Sequence, residues 1–164
     1  MIHRLALGLG ANLGDPPAQL TLALQSFCSL AEAKVESVSR FYYSPAMLPR
    51  DNPAPQPDYC NRVAIITTPK HPETLLALSK RIEVRMGRNP DAPRWSARPL
   101  DIDLLDCDGW EYASNRLVLP HPGIASRRFV LEPWIEIEPE RNVIFGPLKK
   151  LLAELINSPG NQCV

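Results

Sequence analysis

Two aspartates inside an apolar run place the tightest constraint on how this chain can fold. Residues 100–105 read LDIDLL, so Asp101 and Asp103 alternate with leucine and isoleucine. This composition favours a β-strand, on which residues two positions apart point to the same face, roughly 6.5–7 Å apart along the chain. Unpaired negative charge is costly in an apolar segment. A cation must therefore meet the two carboxylates, and the candidates are Arg94, Arg98 and a divalent metal.

The bulk composition indicates one globular domain over residues 1–164. Hydrophobic residues make up 45% of the chain and charged residues 22%, and a chain of this length can enclose a packed core. The formal net charge is zero, so no global field attracts nucleic acid or an anionic membrane. No apolar run approaches the ~20 residues of a membrane span. We expect neither nucleic acid nor a membrane as a partner.

The cysteines and the N-terminal segment favour a cytoplasmic location. Cys28, Cys60, Cys107 and Cys163 lie far apart without a C-x-x-C pair, which argues against a zinc site or a redox motif and favours a reducing compartment. The first residues contain one basic side chain and a short apolar stretch. A signal peptide needs a longer apolar region, so we expect a first strand here.

The order of the predicted elements gives the fold class. Strands are expected at residues 5–9, 34–43, 59–68 and 100–105, with amphipathic helices after the first and the third of them. This order, βαββαβ, is the ferredoxin-like α+β arrangement, a largely antiparallel sheet covered by helices. We further expect an added hairpin, turning at Asp108 and Gly109 between the aspartate strand and residues 110–112. C-terminal helices are expected at residues 129–137 and 148–156.

Two loops stand out between these elements. The glycine-rich residues 8–15 fit neither G-x-G-x-x-G nor a P-loop, so we interpret them as a tight strand-to-helix turn. Asp15 is the expected cap of the next helix, with Pro16 at its first position. Residues 45–57 contain five prolines. Loops of this length are uncommon in compact domains and are often functional.

The aspartate pair has two interpretations. Asp101 and Asp103 are either surface carboxylates ion-paired to arginines or ligands for one or two magnesium ions bound to a polyphosphate. Magnesium usually takes one or two protein carboxylates together with phosphates and water. The arginine-rich segment just before the pair favours the second interpretation, because phosphates are bound by guanidinium groups as well as metal ions.

Basic and aromatic side chains elsewhere could complete such a site. Each basic residue alone fits an ordinary ion pair or structural role, but as a set they could stabilise charge on phosphoryl oxygens. The set consists of Arg88, Arg94, Arg98, His121 and Arg127. Trp95, Tyr59 and Phe129 are either core residues or stacking surfaces for a flat heterocycle, whose polar edge Asn61 could read.

The motif RWSARPLDIDLL resembles the RWGPRTLDIDLL signature of the 6-hydroxymethyl-7,8-dihydropterin pyrophosphokinases of folate biosynthesis. Further blocks resemble that family in the same order, over residues 8 to about 139. They are GLGANLGD, FYYSPA, QPDYCN, RIEVRMGR and RLVLPHPGIASRRFVL. In the signature, Ser96 and Ala97 stand where glycine and proline are usual and Pro99 follows the arginine. Lys80 stands where a glutamine is frequent.

The resemblance implies a ferredoxin-like α+β fold and a magnesium-dependent transferase that moves pyrophosphate from ATP to the hydroxymethyl group of the pterin. Asp101 and Asp103 would hold two magnesium ions, and Arg88 and Arg98 would contact phosphates. The implied pterin positions are Ser44, Pro45, Tyr59, Asn61 and Phe129. The implied nucleotide positions are Glu83, Arg88, Trp95, Arg98, Arg116, His121 and Arg127, with Trp95 and Arg98 on a mobile catalytic loop. We expect a monomer that acts on small molecules.

Two alternatives remain open. Within the family, the chain could be a divergent paralogue that binds pterin or nucleotide with little turnover. From another class, a ferredoxin-like domain could bind RNA. That function requires a basic face and the aromatic segments of an RNA-recognition motif, which this sequence does not show.

Overall fold

The computed structural model describes residues 1–48, 55–93, 95–108 and 110–158. Arg94, Gly109 and Cys163, which were named above, lie outside the described residues, as do Pro49 and Pro53 of the proline-rich residues 45–57. The elements in chain order are β1 (His3–Ala11), α1 (Pro16–Leu30), β2 (Lys34–Val38), β3 (Tyr42–Ser44), β4 (Tyr59–Thr68), α2 (Pro72–Arg85), β5 (Asp101–Cys107), β6 (Tyr112–Ala113), β7 (Val118–Leu119), a 3-10 turn (Ile124–Ser126), α3 (Arg128–Ile137), β8 (Asn142–Val143), β9 (Gly146–Pro147) and α4 (Leu148–Asn157).

The main sheet has the strand order β2-β4-β1-β5, and β3 also pairs with β4. The single strand expected over residues 34–43 is interrupted at Ser39. The Ser39 N–H donates to the Val63 carbonyl (2.9 Å), and Ser39 Oγ accepts from the Val63 N–H (3.0 Å). With β2 and β3 counted as one strand, the element order is βαββαβ and the pairings are antiparallel. The predicted ferredoxin-like α+β fold is confirmed.

β1 lies inside the sheet and is buried on both faces. Leu5, Leu7 and Leu9 enter one core together with residues of α1 and α2, whereas Ala6 enters a second core with residues of α3 and α4. Burial on both faces explains why this strand is a nearly continuous apolar run rather than an alternating one.

Capping side chains define where α1 and α2 begin. Asp15 accepts the Ala18 N–H (3.2 Å), as expected for an N-cap followed by proline. His71 caps α2 through Nδ1, which accepts the Glu73 N–H (3.3 Å). Each helix then buries an apolar stripe against the first face of the sheet.

The helices α3 and α4 cover part of the second face. Trp134 of α3 is fully buried, and Leu148 and Leu151 of α4 belong to the same core. The helices predicted at residues 129–137 and 148–156 are confirmed to within one residue at each end. Such differences are within the usual uncertainty of helix boundaries.

The first part of the predicted turn at residues 8–15 and the predicted strand pairing after β5 are wrong, although the chain does turn after β5, where the Trp110 N–H donates to the Cys107 carbonyl (2.9 Å). Gly8 and Gly10 lie inside β1, which runs to Ala11, so the turn is confined to residues 12–15. The expected pairing of β5 with residues 110–112 is replaced by pairing of Tyr112–Ala113 with Val118–Leu119. One edge of β5 pairs with β1. At its other edge, the Leu105 carbonyl accepts the His121 N–H (2.7 Å). The hairpin therefore forms one strand later.

The described residues show two further general features. None of their helices is both long and apolar enough to cross a membrane. Cys28, Cys60 and Cys107 are free thiols. Burial raises the pKa of the Cys107 thiol to about 11, so this group is protonated and inert at neutral pH.

Candidate active site

The face of the sheet beneath α3 and α4 becomes polar beyond its apolar core. Its apolar part includes Ala6, Val63, Ile65 and Leu105. Further along the same strands, the residues on this face are Gly8, Gly10, Asn61, Asp101 and Asp103. These residues lie along a cavity of about 210 Å³. The cavity therefore lies beside the apolar core and takes its floor from β1, β4 and β5.

Two glycines keep the floor of this cavity open. In β1, Gly10 lies opposite Asn61 on one side and Asp101 on the other, and Gly8 lies opposite Asp103. A Cβ at Gly10 would come within 3.1 Å of Asn61 Oδ1. The glycine-rich pattern of residues 8–15 predicted a turn for both glycines. Their spacing of two inside an apolar strand was the available signal for a site of close approach.

Guanidinium groups surround the two candidate metal ligands. Arg88 Nη1 donates to Asp101 Oδ1, and Arg98 Nη1 donates to Asp101 Oδ2 (3.0 Å). Arg127 Nη1 donates to Asp103 Oδ2 (3.1 Å). The two carboxylate side chains remain 27% and 31% exposed. The positive charge required by the aspartate pair thus comes from three arginines, two of them remote in sequence.

Glu83 lies behind Arg88 rather than in the cavity. It is 1% exposed, and its Oε1 accepts both the Ile102 N–H (2.8 Å) and Lys80 Nζ (2.8 Å). Its Oε2 is 2.7 Å from Arg88 Nη1. Burial raises the pKa of Glu83, against the effect of the nearby cations. This carboxylate links α2 to the peptide between Asp101 and Asp103 and to the arginine that contacts Asp101.

His121 and Arg127 form the side of the site nearest Asp103. Nδ1 of His121 accepts the Gly123 N–H (2.9 Å), which places the proton of a neutral ring on Nε2. Burial lowers the pKa of His121, while Asp103 acts in the opposite direction. A Cβ at Gly123 would come within 2.7 Å of Arg127 Nε. Gly123 therefore allows the guanidinium to approach, a role that was not predicted from the sequence.

The expected pterin residues meet at the other end of the cavity. Ser44, Pro45, Tyr59, Asn61 and Phe129 all line it. Asn61, which is 6% exposed, donates from Nδ2 to Ser44 Oγ (3.0 Å). Two aromatic rings, one from β4 and one from α3, thus line the cavity together with a buried amide, a combination suited to a flat heterocycle with a polar edge.

Residues 95–98 close the third side. Trp95 and Arg98 both line the cavity, and Trp95 has φ of +67°, an uncommon backbone conformation for a bulky residue. Asn12 and Gln56 contact this segment through their side-chain amides. Neither amide was predicted from the sequence to belong to the site. The position of Asn12 directly after a buried strand was the only local signal.

Four of the expected site residues do not line the cavity: Glu83, Arg88, Arg116 and His121. Arg88 contacts Asp101, Glu83 contacts Arg88, and His121 lies close enough to Asp103 for that charge to affect its pKa. Arg116 lies apart from all of them. It is exposed in the turn between β6 and β7, where its N–H donates to Ser114 Oγ (3.2 Å), and its charge interacts with Glu73 at the start of α2. Glu83 lies in the last turn of α2 and Arg88 follows the end of that helix, so both are one helix length away from Glu73 and Arg116. The structure therefore does not bring Arg116 together with the other candidate residues.

Asp101 and Asp103 fit a hard divalent cation such as magnesium. They offer only oxygen donors, share one strand face and are partly exposed. The described residues contain no group of three or more acidic, histidine or cysteine side chains that could hold a metal ion. A cation at this pair would therefore need further ligands from phosphate and water, which is the usual coordination of magnesium.

Comparison with known proteins identifies related sequences. Residues 6–139 match the model of the family described as 7,8-dihydro-6-hydroxymethylpterin-pyrophosphokinase (HPPK). A protein of Pseudomonas aeruginosa is 36% identical over 154 residues, covering 93% of this chain and 92% of its own length. A protein of Haemophilus influenzae is 35% identical over 150 residues, covering 92% and 89% respectively. Both carry the name 2-amino-4-hydroxy-6-hydroxymethyldihydropteridine pyrophosphokinase.

Proposed function

The chain belongs to the 7,8-dihydro-6-hydroxymethylpterin-pyrophosphokinase family, and we propose that it transfers pyrophosphate from ATP to 6-hydroxymethyl-7,8-dihydropterin in folate biosynthesis. The pterin hydroxymethyl oxygen forms a bond to the β-phosphorus of ATP. The bond between that phosphorus and the oxygen bridging to the α-phosphorus breaks. AMP leaves with that oxygen, the hydroxymethyl proton is released, and the pterin pyrophosphate is the second product.

One observation carries this proposal. A single cavity combines an aromatic and amide wall with a carboxylate pair that arginines surround. The first part suits a flat heterocycle with donor and acceptor edges, and the second suits a polyphosphate with its cations. Joining two such substrates in line is the main requirement of phosphoryl transfer, in which positioning and electrostatics do most of the catalytic work.

The arginines would exchange partners when ATP binds. In this structure Arg88 and Arg98 contact Asp101, and Arg127 contacts Asp103. Phosphate oxygens carry a higher charge density and accept the same forked donors. Arg88, Arg98 and Arg127 would therefore turn to the phosphates and stabilise charge that develops during transfer. Trp95 would contact the nucleotide from the segment of residues 95–98, and His121 would contact it from the side of the site that carries Arg127.

Asp101 and Asp103 would hold the magnesium that accompanies ATP, and we propose two ions for the pair. Bound there, magnesium would neutralise phosphate charge and fix the phosphates relative to the pterin. The Ile102 N–H is held by the buried Glu83, which fixes the peptide that joins the two ligands. The strand thus presents both carboxylates in a preset orientation.

The pterin would stack between Tyr59 and Phe129. Ser44, Pro45 and Asn61 would meet its polar edge, and the hydroxymethyl group would extend toward the carboxylates on the same floor. Because Gly8 and Gly10 carry no side chains, the route between the two parts of the cavity is open.

We also propose that residues 1–164 act as one domain, as a monomer and in the cytoplasm. Both cores pack on the same sheet, which supports a single domain. Free Cys28, Cys60 and Cys107 suit a reducing compartment. Sedimentation equilibrium at micromolar concentration tests the monomer, and a dimer mass would contradict it.

The decisive experiment mixes purified protein with ATP, magnesium and 6-hydroxymethyl-7,8-dihydropterin and follows AMP and pterin pyrophosphate by chromatography. We expect AMP in a one-to-one ratio with the pterin product, and none when the pterin is omitted. Calorimetric binding of pterin without AMP production would favour the non-catalytic paralogue. Binding of single-stranded RNA at low salt, without AMP production, would favour the RNA-binding alternative.

A further inference from the structure

Among the described residues, Asn12 is the most buried side-chain amide near the site. It directly follows β1 and is 2% exposed. Its side chain and its backbone contact two separate chain segments, residues 56–57 and residue 98. Buried amides are usually hydrogen-bonded. This one is notable because each of its bonds goes to a segment that borders the candidate active site.

The first set of bonds fixes the backbone of Arg98. Asn12 Oδ1 accepts the Arg98 N–H (2.8 Å), and the Asn12 N–H donates to the Arg98 carbonyl (3.0 Å). The peptide groups on both sides of the Arg98 Cα are thus held against the end of β1. From this position the Arg98 guanidinium reaches Asp101 at 3.0 Å.

The second set of bonds connects Asn12 to the segment entering β4. Asn12 Nδ2 donates to the Pro57 carbonyl (3.1 Å) and to Gln56 Oε1 (3.3 Å). Gln56 Nε2 in turn donates to the Trp95 carbonyl (2.8 Å). Two residues beyond Pro57, Tyr59 begins β4 and lines the cavity. The amide of Asn12 thus bridges the start of the pterin wall and the backbone of the phosphate-binding arginine.

We propose that Asn12 is a positioning residue that acts through Arg98. Its side chain sets the Arg98 backbone relative to the strand floor and ties that setting to the entry of β4. The inference rests on the proposed function, because the effect of Arg98 placement is expressed in pyrophosphate transfer. A misplacement of about 1 Å at a catalytic group can lower turnover by about 100-fold.

Two substitutions separate the contacts of Asn12. Asn12→Ala removes the acceptor for Arg98 and the donors to residues 56 and 57. Asn12→Asp has the same shape and keeps an oxygen to accept the Arg98 N–H, but it loses both donors. Gln19→Ala is the matched control, since Gln19 Nε2 donates to the Pro99 carbonyl (3.0 Å) in the same loop without contacting Arg98. Circular-dichroism melts establish that each variant is folded.

We expect Asn12→Ala to lower kcat by about 10- to 100-fold, while the pterin dissociation constant measured by calorimetry changes by less than about threefold. Asn12→Asp should retain several-fold more activity than Asn12→Ala, and Gln19→Ala should stay within about threefold of the wild type. A kcat of Asn12→Ala within twofold of the wild type would overturn the proposal. Equal losses in Asn12→Ala and Asn12→Asp, or in Asn12→Ala and Gln19→Ala, would also overturn it.

A double-mutant cycle tests whether the effect passes through Arg98. Once Arg98→Ala has removed the guanidinium, adding Asn12→Ala should lower kcat by no more than about twofold, because the residue being positioned is gone. Fully additive losses would overturn the proposal. Gln56→Ala should lower kcat by about three- to tenfold. This variant tests the proposal if the Asn12 variants do not fold. In that case, wild-type kcat in Gln56→Ala would contradict the proposed link from Asn12 to residues 56 and 57. Absence of AMP from the wild-type protein would refute the proposed function instead.

Discussion

Single side chains in this protein show how a strand carries two carboxylates through an apolar segment. Asp101 and Asp103 point away from the first core into a cavity, and three guanidinium groups compensate their charge. Local sequence required a cation near the pair but could not choose among Arg94, Arg98 and a metal. Arg94 lies outside the described residues, and Arg88 and Arg127 come from elsewhere in the chain.

Replacing Asp103 tests the carboxylate pair directly. We expect Asp103→Ala to lower kcat at least about 100-fold, because the variant loses one of the two acidic groups proposed to hold the ATP-bound cations. The fold should persist, since the side chain is 31% exposed. Steady-state AMP release measures the loss. The matched control is Asp91→Ala, an exposed aspartate outside the cavity; unchanged turnover in Asp103→Ala would contradict the metal role.

Glu83→Gln should separate activity from stability. The substitution leaves Arg88 without its buried carboxylate partner, so we expect kcat to fall about tenfold through displacement of that arginine. Burial raises the pKa of Glu83, so the ionised form carries a desolvation cost that glutamine avoids. The melting temperature at pH 7 should therefore be equal to that of the wild type or higher.

The pH dependence of Glu83→Gln gives a second test. A carboxyl whose pKa is raised by folding contributes stability that is present below its unfolded pKa and is lost as the pH rises through its folded pKa. The wild type should therefore gain stability relative to Glu83→Gln as the pH falls from 8 to 4, below the ordinary glutamate pKa of about 4.3. Thermal melts of both proteins at the two pH values measure this difference in stability. The control is Glu132→Gln, because Glu132 forms an ion pair with Arg128 at the surface of α3. The opposite trend would show that the cations, not burial, dominate the pKa.

Helices and strands show how the site is placed at the edge of a core. α3 and α4 cover only part of the second sheet face, and the cavity lies beside them on the same strands. Phe129 from the first turn of α3 belongs to both regions, because it packs against the second core and lines the cavity. The position of α3 thus determines one wall of the site.

α4 should contribute to stability through one apolar stripe. Leu151 is 6% exposed within the second core, so we expect Leu151→Ala to lower the free energy of unfolding by about 2–4 kcal/mol. Ile156 is 55% exposed near the end of the same helix. Ile156→Ala should therefore change the free energy of unfolding by no more than about 0.5 kcal/mol. Urea unfolding followed by circular dichroism distinguishes the two. Equal effects would mean that α4 does not pack as described.

The molecule also contains a titratable aromatic cluster at the start of β1. His3 is 7% exposed, and its ring centroid lies 4.6 Å from that of Trp110 in an edge-to-face arrangement, with His71 at 6.5 Å. Burial, and to a lesser extent His71, lowers the pKa of His3. This cluster lies at the end of β1 opposite to Gly10 and the cavity. Its protonation should therefore affect the stability of the whole molecule more than catalysis.

His3→Phe tests this pH dependence. A histidine whose pKa is lowered by folding contributes stability above its unfolded pKa of about 6.5, and that stability is lost as the pH falls. The melting temperature of the wild type should drop between pH 7.5 and pH 5.5 by more than that of His3→Phe, which keeps an aromatic ring without a titrating group. Identical drops would show that His3 does not sense pH.

Much of this molecule follows from patterns local in the chain. Alternation and apolar periodicity predicted the strands and helices of the βαββαβ order, and the Asp15-Pro16 pair predicted the start of α1. These predictions succeed because hydrogen bonds within a helix and side-chain alternation on a strand involve residues only a few positions apart. Errors occurred where a contact distant in sequence decided the outcome, as at Ser39, whose Oγ accepts the Val63 N–H just beyond the end of β2.

The chain alone therefore determined the fold class, the pair of adjacent carboxylates and the family resemblance of its motifs. Tertiary structure decided which cations meet the carboxylates, and it moved Gly8 and Gly10 from a supposed turn into the cavity floor. It also buried Glu83 behind Arg88 and placed Asn12 between two distant segments. The reason is physical: these contacts join residues that only sheet register and helix packing bring together, and neither is encoded in a short stretch of chain.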